Sequence, residues 1–221
     1  MGDNMTLSKD WSGNKTTVFS TIGSSSHSDR ERAERDLYTT NQVDFVRFIK
    51  ALRRDGIQIQ GPVWECASGC HHLVEVLERL GYEVVSTDIE DRSEWPEFRK
   101  TKAKLQKIDV LETTGVDLIK WDVRSVITNP PYSIADQFVS HIMPMLQDKQ
   151  YLMLLLRIQW LESKKRYALF KKHNYKYVYV YVSRANCYRN AQTKDDGGAI
   201  CFAWFIYEKG YTGDTVVRFI E

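Results

Sequence analysis

The sequence has no long hydrophobic run and few cysteines. Apolar stretches such as Tyr151 to Leu156 have the length of a strand and are far too short to cross a membrane. The amino-terminal residues contain no apolar core of the kind that marks a secretory signal. Four cysteines in 221 residues fit free thiols in a reducing compartment. We therefore expect a cytosolic protein without a membrane partner.

The glycine pattern that binds a pyrophosphate is also missing. Only Gly69 stands between Glu65 and His71, where a dinucleotide site would need several glycines for close approach of the backbone. This argues against a nicotinamide enzyme. A nucleoside cofactor without a pyrophosphate needs fewer such approaches, so one glycine with nearby carboxylates favours that kind of cofactor.

The cysteines give little support to a metal site. Cys66, Cys70, His71 and His72 put four soft ligands within seven residues. Their spacing is wider than that of a common zinc knuckle, and no second paired cluster follows. We expect small residues packed beneath a loop and no metal. A metal-stabilised binding module remains an alternative.

The net charge of +2 is unevenly distributed along the chain. Between Lys149 and Arg189 there are ten basic residues and one acidic residue, Glu162, which leaves a net charge of −7 on the remainder. A concentration of positive charge is what a surface that follows phosphates requires, although a solvated lysine-rich helix gives the same pattern. Both interpretations stay open from charge alone.

The chain has room for one well-buried domain of the α/β class. Residues 1–28 are rich in serine, threonine, glycine and asparagine, and we expect a flexible segment there. Residues 29–221 should form the single domain. No internal repeat is visible in the sequence.

Short β-forming runs alternate with helical patterns along that domain. Strands are predicted at 63–65, 83–88, 108–109, 126–128, 151–156, 177–182 and 199–207, and helices near 45–52, 73–80, 134–146 and 162–172. The alternation is typical of βαβ units and a parallel sheet. The last two strands leave no room for a crossover helix, so they should pair antiparallel.

The tetrapeptide Asn129-Pro130-Pro131-Tyr132 follows the predicted strand at 126–128. Each proline fixes φ and lacks an N–H, so the loop is stiff and its carbonyl groups have few internal donors. The Asn129 amide oxygen and a free carbonyl can then accept the two hydrogens of an exocyclic amine such as adenine N6. Tyr132 adds an aromatic face for stacking. We interpret this loop as catalytic rather than as a simple proline turn.

This motif resembles the catalytic motif of amino-group methyltransferases that use S-adenosylmethionine, in particular the DNA adenine-N6 group. From about Ser24 to Tyr211 the layout is similar to small methyltransferases of phages and prophages. The resemblance implies a Rossmann-like methyltransferase fold with a seven-stranded, mostly parallel sheet, an antiparallel C-terminal hairpin and helices on both faces. It also implies S-adenosylmethionine as cofactor and, for a phage protein, the host cytoplasm as location.

The same resemblance indicates which residues meet the cofactor. The segment from Glu65 to His71 is similar to the first methyltransferase motif, although His71 stands where a second glycine is common. Ligands of doubly wound folds bind beyond the carboxyl ends of the strands, where Asp88 has the place of a ribose-binding carboxylate. The expected cofactor-binding residues are Tyr38, Thr39, Thr40, Glu65, Ala67, Gly69, Asp88, Ile89, Asp109 and Val110.

The basic residues after the catalytic loop are the candidates for phosphate contacts. The expected set is Arg157, Lys164, Lys165, Arg166, Lys171 and Lys172. The polar segment from Asn186 to Gly198 is interpreted as a flexible connection that could contact flanking bases. Nucleic acid, and DNA by resemblance, is the expected partner, while the oligomeric state leaves no signal in the sequence.

Three alternatives compete with DNA adenine methylation. The tetrapeptide also occurs in enzymes that methylate protein glutamine amides or amino groups in ribosomal RNA, because those substrates also present a weakly nucleophilic nitrogen. The basic segment favours nucleic acid over protein. A non-catalytic nucleic-acid-binding protein that retains the fold is an alternative of another class, since His71 departs from the glycine loop.

Overall fold

An eight-stranded mixed sheet forms the centre of the computed structural model, which describes residues 37–185, 187–189 and 200–221. The strands are β1 (Tyr38–Thr40), β2 (Val63–Glu65), β3 (Val84–Asp88), β4 (Leu105–Lys107), β5 (Ser125–Thr128), β6 (Tyr151–Arg157), β7 (Tyr175–Tyr181), β8 (Cys187–Arg189), β9 (Phe202–Glu208) and β10 (Val216–Ile220). The helices are α1 (Gln42–Arg54), α2 (His72–Arg79), α3 (Gly115–Lys120), α4 (Ala135–Met145) and α5 (Tyr167–Lys172). The described residues all belong to one compact unit, whereas the segment 1–28 that we expect to be flexible lies outside them.

The strand order in the large sheet is β10-β7-β9-β6-β5-β2-β3-β4. Strands β2 to β6 run parallel to one another, and β9 runs antiparallel to both β6 and β7. The antiparallel pairing that we predicted between the strands at 177–182 and 199–207, here β7 and β9, is therefore confirmed. Because β2, β3, β5 and β6 are parallel, their carboxyl ends meet at one edge of the sheet, where a doubly wound fold places its ligand.

Helices cover both faces of this sheet. Side chains alternate along the central strands, so Ile127 and Met153 face the cluster formed with α1 and α2, while Val126 and Leu152 face the cluster formed with α4. In the first cluster, the rings of Phe48 and Trp204 stack with centroids 4.3 Å apart. Helix α1 begins at the N-cap Asn41, whose side chain accepts a hydrogen bond from the Val43 N–H.

Four details differ from the sequence predictions. The large sheet has eight strands rather than seven, because Val216–Ile220 adds an edge strand beside β7. The strand expected at 108–109 lies instead at Leu105–Lys107. The last helix begins at Tyr167 rather than near Glu162. In the segment predicted as a flexible connection, Cys187–Arg189 forms a strand paired with β1, and 186 and 190–198 lie outside the described residues.

No helix within the described ranges is long and apolar enough to span a lipid bilayer.

Candidate active site

A pocket opens at the carboxyl edge of the sheet. It encloses about 750 Å³ of empty space, a figure that includes open solvent at its mouth. All ten residues predicted to bind a cofactor line it: Tyr38, Thr39, Thr40, Glu65, Ala67, Gly69, Asp88, Ile89, Asp109 and Val110. Asn129 and Pro131 of the catalytic loop line the same pocket, so the structure brings both predicted groups together.

The loop after β2 forms the floor of the pocket through backbone contacts. Gly69 has φ +51°, and a Cβ atom there would lie 3.0 Å from Leu37 Cδ1. Glycine is therefore favoured both by the backbone conformation and by the neighbouring side chain. The Gly69 N–H donates to Asp88 Oδ2 over 2.8 Å, which ties this loop to the end of β3.

Glu65 ends β2 with a carboxylate buried beneath the pocket. Its Oε1 accepts a hydrogen bond from the Ala67 N–H at 3.1 Å, while Oε2 is buried and has no partner among the described residues. Burial raises the pKa of the Glu65 carboxyl to about 8. The site therefore holds a carboxyl that readily keeps its proton when the pocket is empty.

Asp88 at the end of β3 is held in a buried ion pair. Its Oδ1 accepts from the Glu90 N–H and from Arg92 Nη1, both at 2.9 Å. The side chains of Asp88 and Arg92 are only 8% and 7% exposed. Burial raises the pKa of Asp88 and the Arg92 guanidinium opposes that rise. Among the described residues the donor to Oδ2 is the Gly69 N–H, so this oxygen retains capacity for a ligand hydroxyl.

Ile89 and Asp109 complete the part of the pocket next to β3 and β4. Ile89 is 53% exposed, an uncommon position for a large apolar side chain, and it lines the pocket beside Asp88. Asp109 caps a short 3₁₀ helix, because its Oδ1 accepts from the Leu111 N–H at 2.9 Å. The helix-capping role that is common for aspartate thus coexists with a place in the pocket wall.

His71 does not narrow the pocket, although it replaces an expected glycine. The residue adopts the left-handed conformation with φ +64° that a glycine would favour, and its ring is fully buried away from the pocket lining. Its Nε2 lies 2.7 Å from Ser86 Oγ and its Nδ1 lies 2.8 Å from Thr101 Oγ1. Burial lowers the pKa of His71 to about 4, which keeps the ring neutral.

Asn129 stands at the end of β5 and makes its contacts with strand β1. Its Nδ2 donates to the Tyr38 carbonyl oxygen at 2.6 Å and to Thr40 Oγ1 at 3.1 Å. Its Oδ1 is buried and accepts no hydrogen bond from any described residue. The loop thus keeps one open acceptor, the Asn129 amide oxygen, among the described residues.

Unpaired buried polar atoms concentrate at this edge of the sheet. In the described part of the chain, the buried side-chain atoms without a partner are Glu65 Oε2, His72 Nδ1, Thr128 Oγ1, Asn129 Oδ1, Tyr132 OH, Arg157 Nε and His173 Nε2. Three of them belong to residues that line the pocket, namely Glu65, His72 and Asn129. Folded proteins leave few such atoms unpaired, so their clustering indicates a site that a polar ligand completes.

The ring of Tyr132 is packed against protein side chains in this structure. Its centroid lies 5.5 Å from that of Tyr38 in a stacked arrangement and 5.8 Å from that of Phe202. The Arg157 guanidinium carbon lies 5.1 Å from the ring centre. Tyr132 and Pro130 do not line the pocket. A planar group that stacks on Tyr132 must therefore displace one of these neighbours.

The six predicted phosphate-contacting residues follow β6 but do not form one uniform face. Arg166 folds back onto Trp160, with hydrogen bonds to three backbone carbonyl groups of the turn 159–162. Arg157 lies on Tyr132, and Lys171 lies on the ring of Tyr167. The remaining three, Lys164, Lys165 and Lys172, are exposed. Arg166 thus supports the turn, and the phosphate contacts of all six residues stay a prediction.

Several pocket residues escaped the sequence analysis. Arg92 is one, and it lies in the loop after β3, four residues beyond its ion-pair partner Asp88. His72 is another, and it opens helix α2 directly after the glycine loop. Leu37, Cys66, Ser68 and Leu73 also line the pocket, along with Ile134 and Phe138 of the segment after the catalytic loop. Their side chains are mostly apolar and carry no sequence signal of their own.

The cysteine and histidine cluster gives no metal-binding geometry. Among the residues that the structure describes, no group of three or more histidine, cysteine, aspartate or glutamate side chains could hold a metal ion. Cys66 and Cys70 are both buried free thiols.

Comparison with solved structures identifies the fold. A Listeria monocytogenes protein provisionally assigned as a class I S-adenosylmethionine-dependent methyltransferase is 14% identical, with a TM-score of 0.52 over 93% of this chain and 71% of that one. A Lactococcus lactis protein provisionally assigned as a hemolysin is 11% identical, with a TM-score of 0.57 over 83% of this chain and 94% of that one. The type IIG restriction endonuclease BpuSI is 13% identical, with a TM-score of 0.55 over 90% of this chain and 28% of that one.

No protein-family model matches the chain, and no curated protein matches it at the sequence level. The structural likeness nevertheless defines the class of fold. The chain has the Rossmann-like methyltransferase fold, a mostly parallel sheet with an antiparallel strand near its C-terminal side and helices on both faces. The predicted fold class is confirmed apart from the number of strands.

Proposed function

We propose that this protein is an S-adenosylmethionine-dependent methyltransferase that acts on the N6 amino group of adenine in DNA. One observation carries the proposal above the others. Asn129, whose Oδ1 is buried and unpaired among the described residues, lines the same pocket as all ten residues expected to bind the cofactor. An amine acceptor and a cofactor site thus share one cavity.

The residues of the pocket suit the chemistry of the cofactor. Asp88 Oδ2 has spare capacity for a ribose hydroxyl, and the exposed Ile89 offers an apolar surface for an adenine ring. The unpaired Glu65 Oε2 and His72 Nδ1 offer polar partners for the amino-acid portion. When bound, S-adenosylmethionine supplies an activated methyl group.

The catalytic loop would activate the adenine amine, which is a weak nucleophile. The lone pair of an adenine amine is delocalised into the ring and must be localised before it can attack. Asn129 Oδ1 and the Pro130 carbonyl oxygen would accept the two N6 hydrogens and favour a tetrahedral nitrogen. A fixed pair of acceptors orients the amine without a strong general base.

A nucleic-acid substrate is supported by the basic residues at the same edge of the sheet. Lys164 and Lys165 are exposed in the turn after β6, where phosphates can approach them. An adenine in a duplex must leave the stack to meet Asn129, which costs a few kcal/mol. Stacking on Tyr132 in place of Arg157 or Tyr38 would offset part of this cost. The preference for DNA over RNA rests on the resemblance of the motif.

The test is the variant Asn129→Ala, measured for transfer and for cofactor binding. Loss of a positioned hydrogen-bonding group commonly costs about 100- to 1,000-fold in rate. We expect a loss of at least that size in single-turnover methyl transfer to DNA, with the dissociation constant for S-adenosylmethionine within about threefold of wild type, since Glu65, Asp88 and Asp109 remain. Near-normal turnover of the variant would reject the mechanism. Asn174→Ala, on the loop before β7, serves as the matched control.

A further inference from the structure

The orientation of the Asn129 amide is fixed by strand β1 before any substrate arrives. An asparagine side chain can be turned by 180° so that its oxygen and nitrogen exchange places, and the hydrogen-bond partners decide which arrangement holds. Here Nδ2 lies 2.6 Å from the Tyr38 carbonyl oxygen. A carbonyl oxygen can only accept, so the nitrogen must face β1 and Oδ1 must face away from it.

Thr40 takes the second hydrogen of the same amide. Its Oγ1 lies 3.1 Å from Asn129 Nδ2, and its side chain belongs to a residue that is 3% exposed. With both N–H groups paired, Nδ2 has no donor left over, and the only open hydrogen-bonding capacity of the side chain is on Oδ1. The Tyr38 carbonyl oxygen and Thr40 Oγ1, two positions apart on β1, thus hold the Asn129 amide between them, an arrangement that we call the clamp.

Strand β1 is itself anchored at both sides. It pairs antiparallel with β8, where Thr40 is opposite Cys187. The next residue, Asn41, caps helix α1 and so connects the strand directly to the helix that packs on the sheet. The clamp on Asn129 therefore belongs to a fixed element and not to a free end of the chain.

We propose that Thr40 is a positioning residue that, together with the Tyr38 carbonyl group, holds the Asn129 oxygen toward the substrate amine. This inference rests on the proposed function, in which Asn129 Oδ1 accepts an amine hydrogen. Thr40 acts through Asn129, and it sets the fraction of molecules in which the amide is correctly oriented. The Tyr38 contact is made by the backbone and survives side-chain substitution, so Thr40 is the residue that a variant can probe.

The variant Thr40→Val keeps the shape of the side chain but removes the acceptor. One Nδ2 hydrogen then loses its partner, and the net value of such a bond corresponds to roughly 2- to 10-fold. We expect the single-turnover rate of methyl transfer to fall by that factor, with the KM for DNA unchanged. Thr40→Ser keeps the hydroxyl and should restore the rate. Thr215→Val is the control, because it removes the hydroxyl of another hydrogen-bonded threonine, one that donates to the Tyr175 carbonyl oxygen and lies before β10 at the opposite edge of the sheet.

A second readout separates this inference from the proposed function. The side-chain NH₂ signals of Asn129 can be assigned in ¹⁵N-correlated spectra by their loss in Asn129→Ala, without cofactor or substrate. One of the two proton signals should move upfield in Thr40→Val and return in Thr40→Ser. Unchanged signals and an unchanged rate in Thr40→Val would overturn the role of Thr40. Shifted signals in a protein that transfers no methyl group would reject the proposed function while supporting the clamp.

Discussion

Buried polar atoms without partners are the residue-scale signature of this site. Each one costs about 1–3 kcal/mol when it is left unpaired in a folded protein. Glu65 Oε2, His72 Nδ1 and Asn129 Oδ1 are all of this kind and all belong to the pocket lining. The fold therefore carries a local instability that a polar ligand can relieve. A ligand that pairs with these atoms should stabilise the protein by more than its contact area alone suggests.

The raised pKa of Glu65 gives a prediction for the pH dependence of stability. Its pKa of about 8 in the folded protein exceeds the ordinary value of 4.5, so the folded state holds a proton that the unfolded state releases between these two pH values. The contribution of Glu65 to the free energy of unfolding should then fall as pH rises through this window, by at most about 1.4 kcal/mol per pH unit. The lowered pKa values of His71 and His72, about 4 each, act in the opposite direction below the ordinary histidine value of 6.5. Urea unfolding of the ligand-free protein between about pH 6.5 and pH 8 therefore measures the slope that Glu65 contributes.

The variant Glu65→Gln removes the titrating group but keeps a side chain of the same size. Its unfolding free energy should depend less on pH than that of the wild type, with the largest gain in stability near pH 8. Glu83→Gln changes an exposed glutamate before β3 and should leave the slope as it is. Parallel pH profiles for the wild type and Glu65→Gln would show that Glu65 does not titrate in this window.

At the scale of elements, the loop after β2 separates two neighbouring histidines by function. His71 turns into the protein and connects to Ser86 and Thr101, whereas His72 opens helix α2 and lines the pocket. The left-handed conformation of His71 produces this separation, because His71 is then the cap outside the helix and His72 is its first residue. A loop with one glycine fewer than expected can thus keep an open pocket.

The two histidines should therefore respond differently to alanine substitution. His71→Ala removes two buried hydrogen bonds and should lower the free energy of unfolding by about 1–3 kcal/mol, with the affinity for S-adenosylmethionine little changed. His72→Ala should weaken cofactor binding and cost less stability. Calorimetric titration and urea unfolding of both variants provide the comparison. A stronger loss of affinity in His71→Ala than in His72→Ala would contradict the assignment.

The sequence predicted the elements whose pattern lies within a few neighbouring residues, and it missed those that depend on contacts between distant segments. The stiff loop after β5 and the residues at the strand ends follow from short patterns, and the structure places them around one pocket. Strand β10 was missed because Val216–Ile220 has no alternation of apolar and polar residues and is exposed at four of its five positions. The pairing of β1 with β8 joins segments about 150 residues apart, and no local pattern encodes such contacts. The packing of Tyr132 against Arg157 is likewise a tertiary contact.

At the scale of the whole molecule, the pocket and the catalytic loop share one edge of the sheet. The parallel direction of β2, β3, β5 and β6 brings this about, since each strand delivers its carboxyl end to the same side. Lys164 and Lys165 follow the carboxyl end of β6, whereas Lys172 lies just before β7, which starts at the opposite edge. At that opposite edge Lys176 forms an ion pair with Glu208 over 2.7 Å.

The exposed lysines predict a salt-dependent interaction with DNA. Each phosphate contact contributes a slope of about −0.9 to the dependence of log K on log salt concentration. The double variant Lys164→Ala/Lys165→Ala should reduce the steepness of this slope by up to about 2, and the reduction should be the same for DNA of any base sequence. Fluorescence anisotropy over a range of salt concentrations measures the slope. Lys50→Ala/Arg53→Ala, exposed on α1, should leave it unchanged, and an equal effect of both pairs would remove the proposed phosphate surface.

The central claim is that the pocket and the loop together transfer a methyl group to an exocyclic amine. The most direct measurement is transfer of labelled methyl from S-adenosylmethionine to DNA, RNA and ribosomal protein offered separately, followed by digestion and mass spectrometry of the labelled product. We predict N6-methyldeoxyadenosine from the DNA sample. Label in RNA or protein would keep the enzyme class and contradict the DNA substrate, and no label in any sample together with no cofactor binding would contradict the account as a whole.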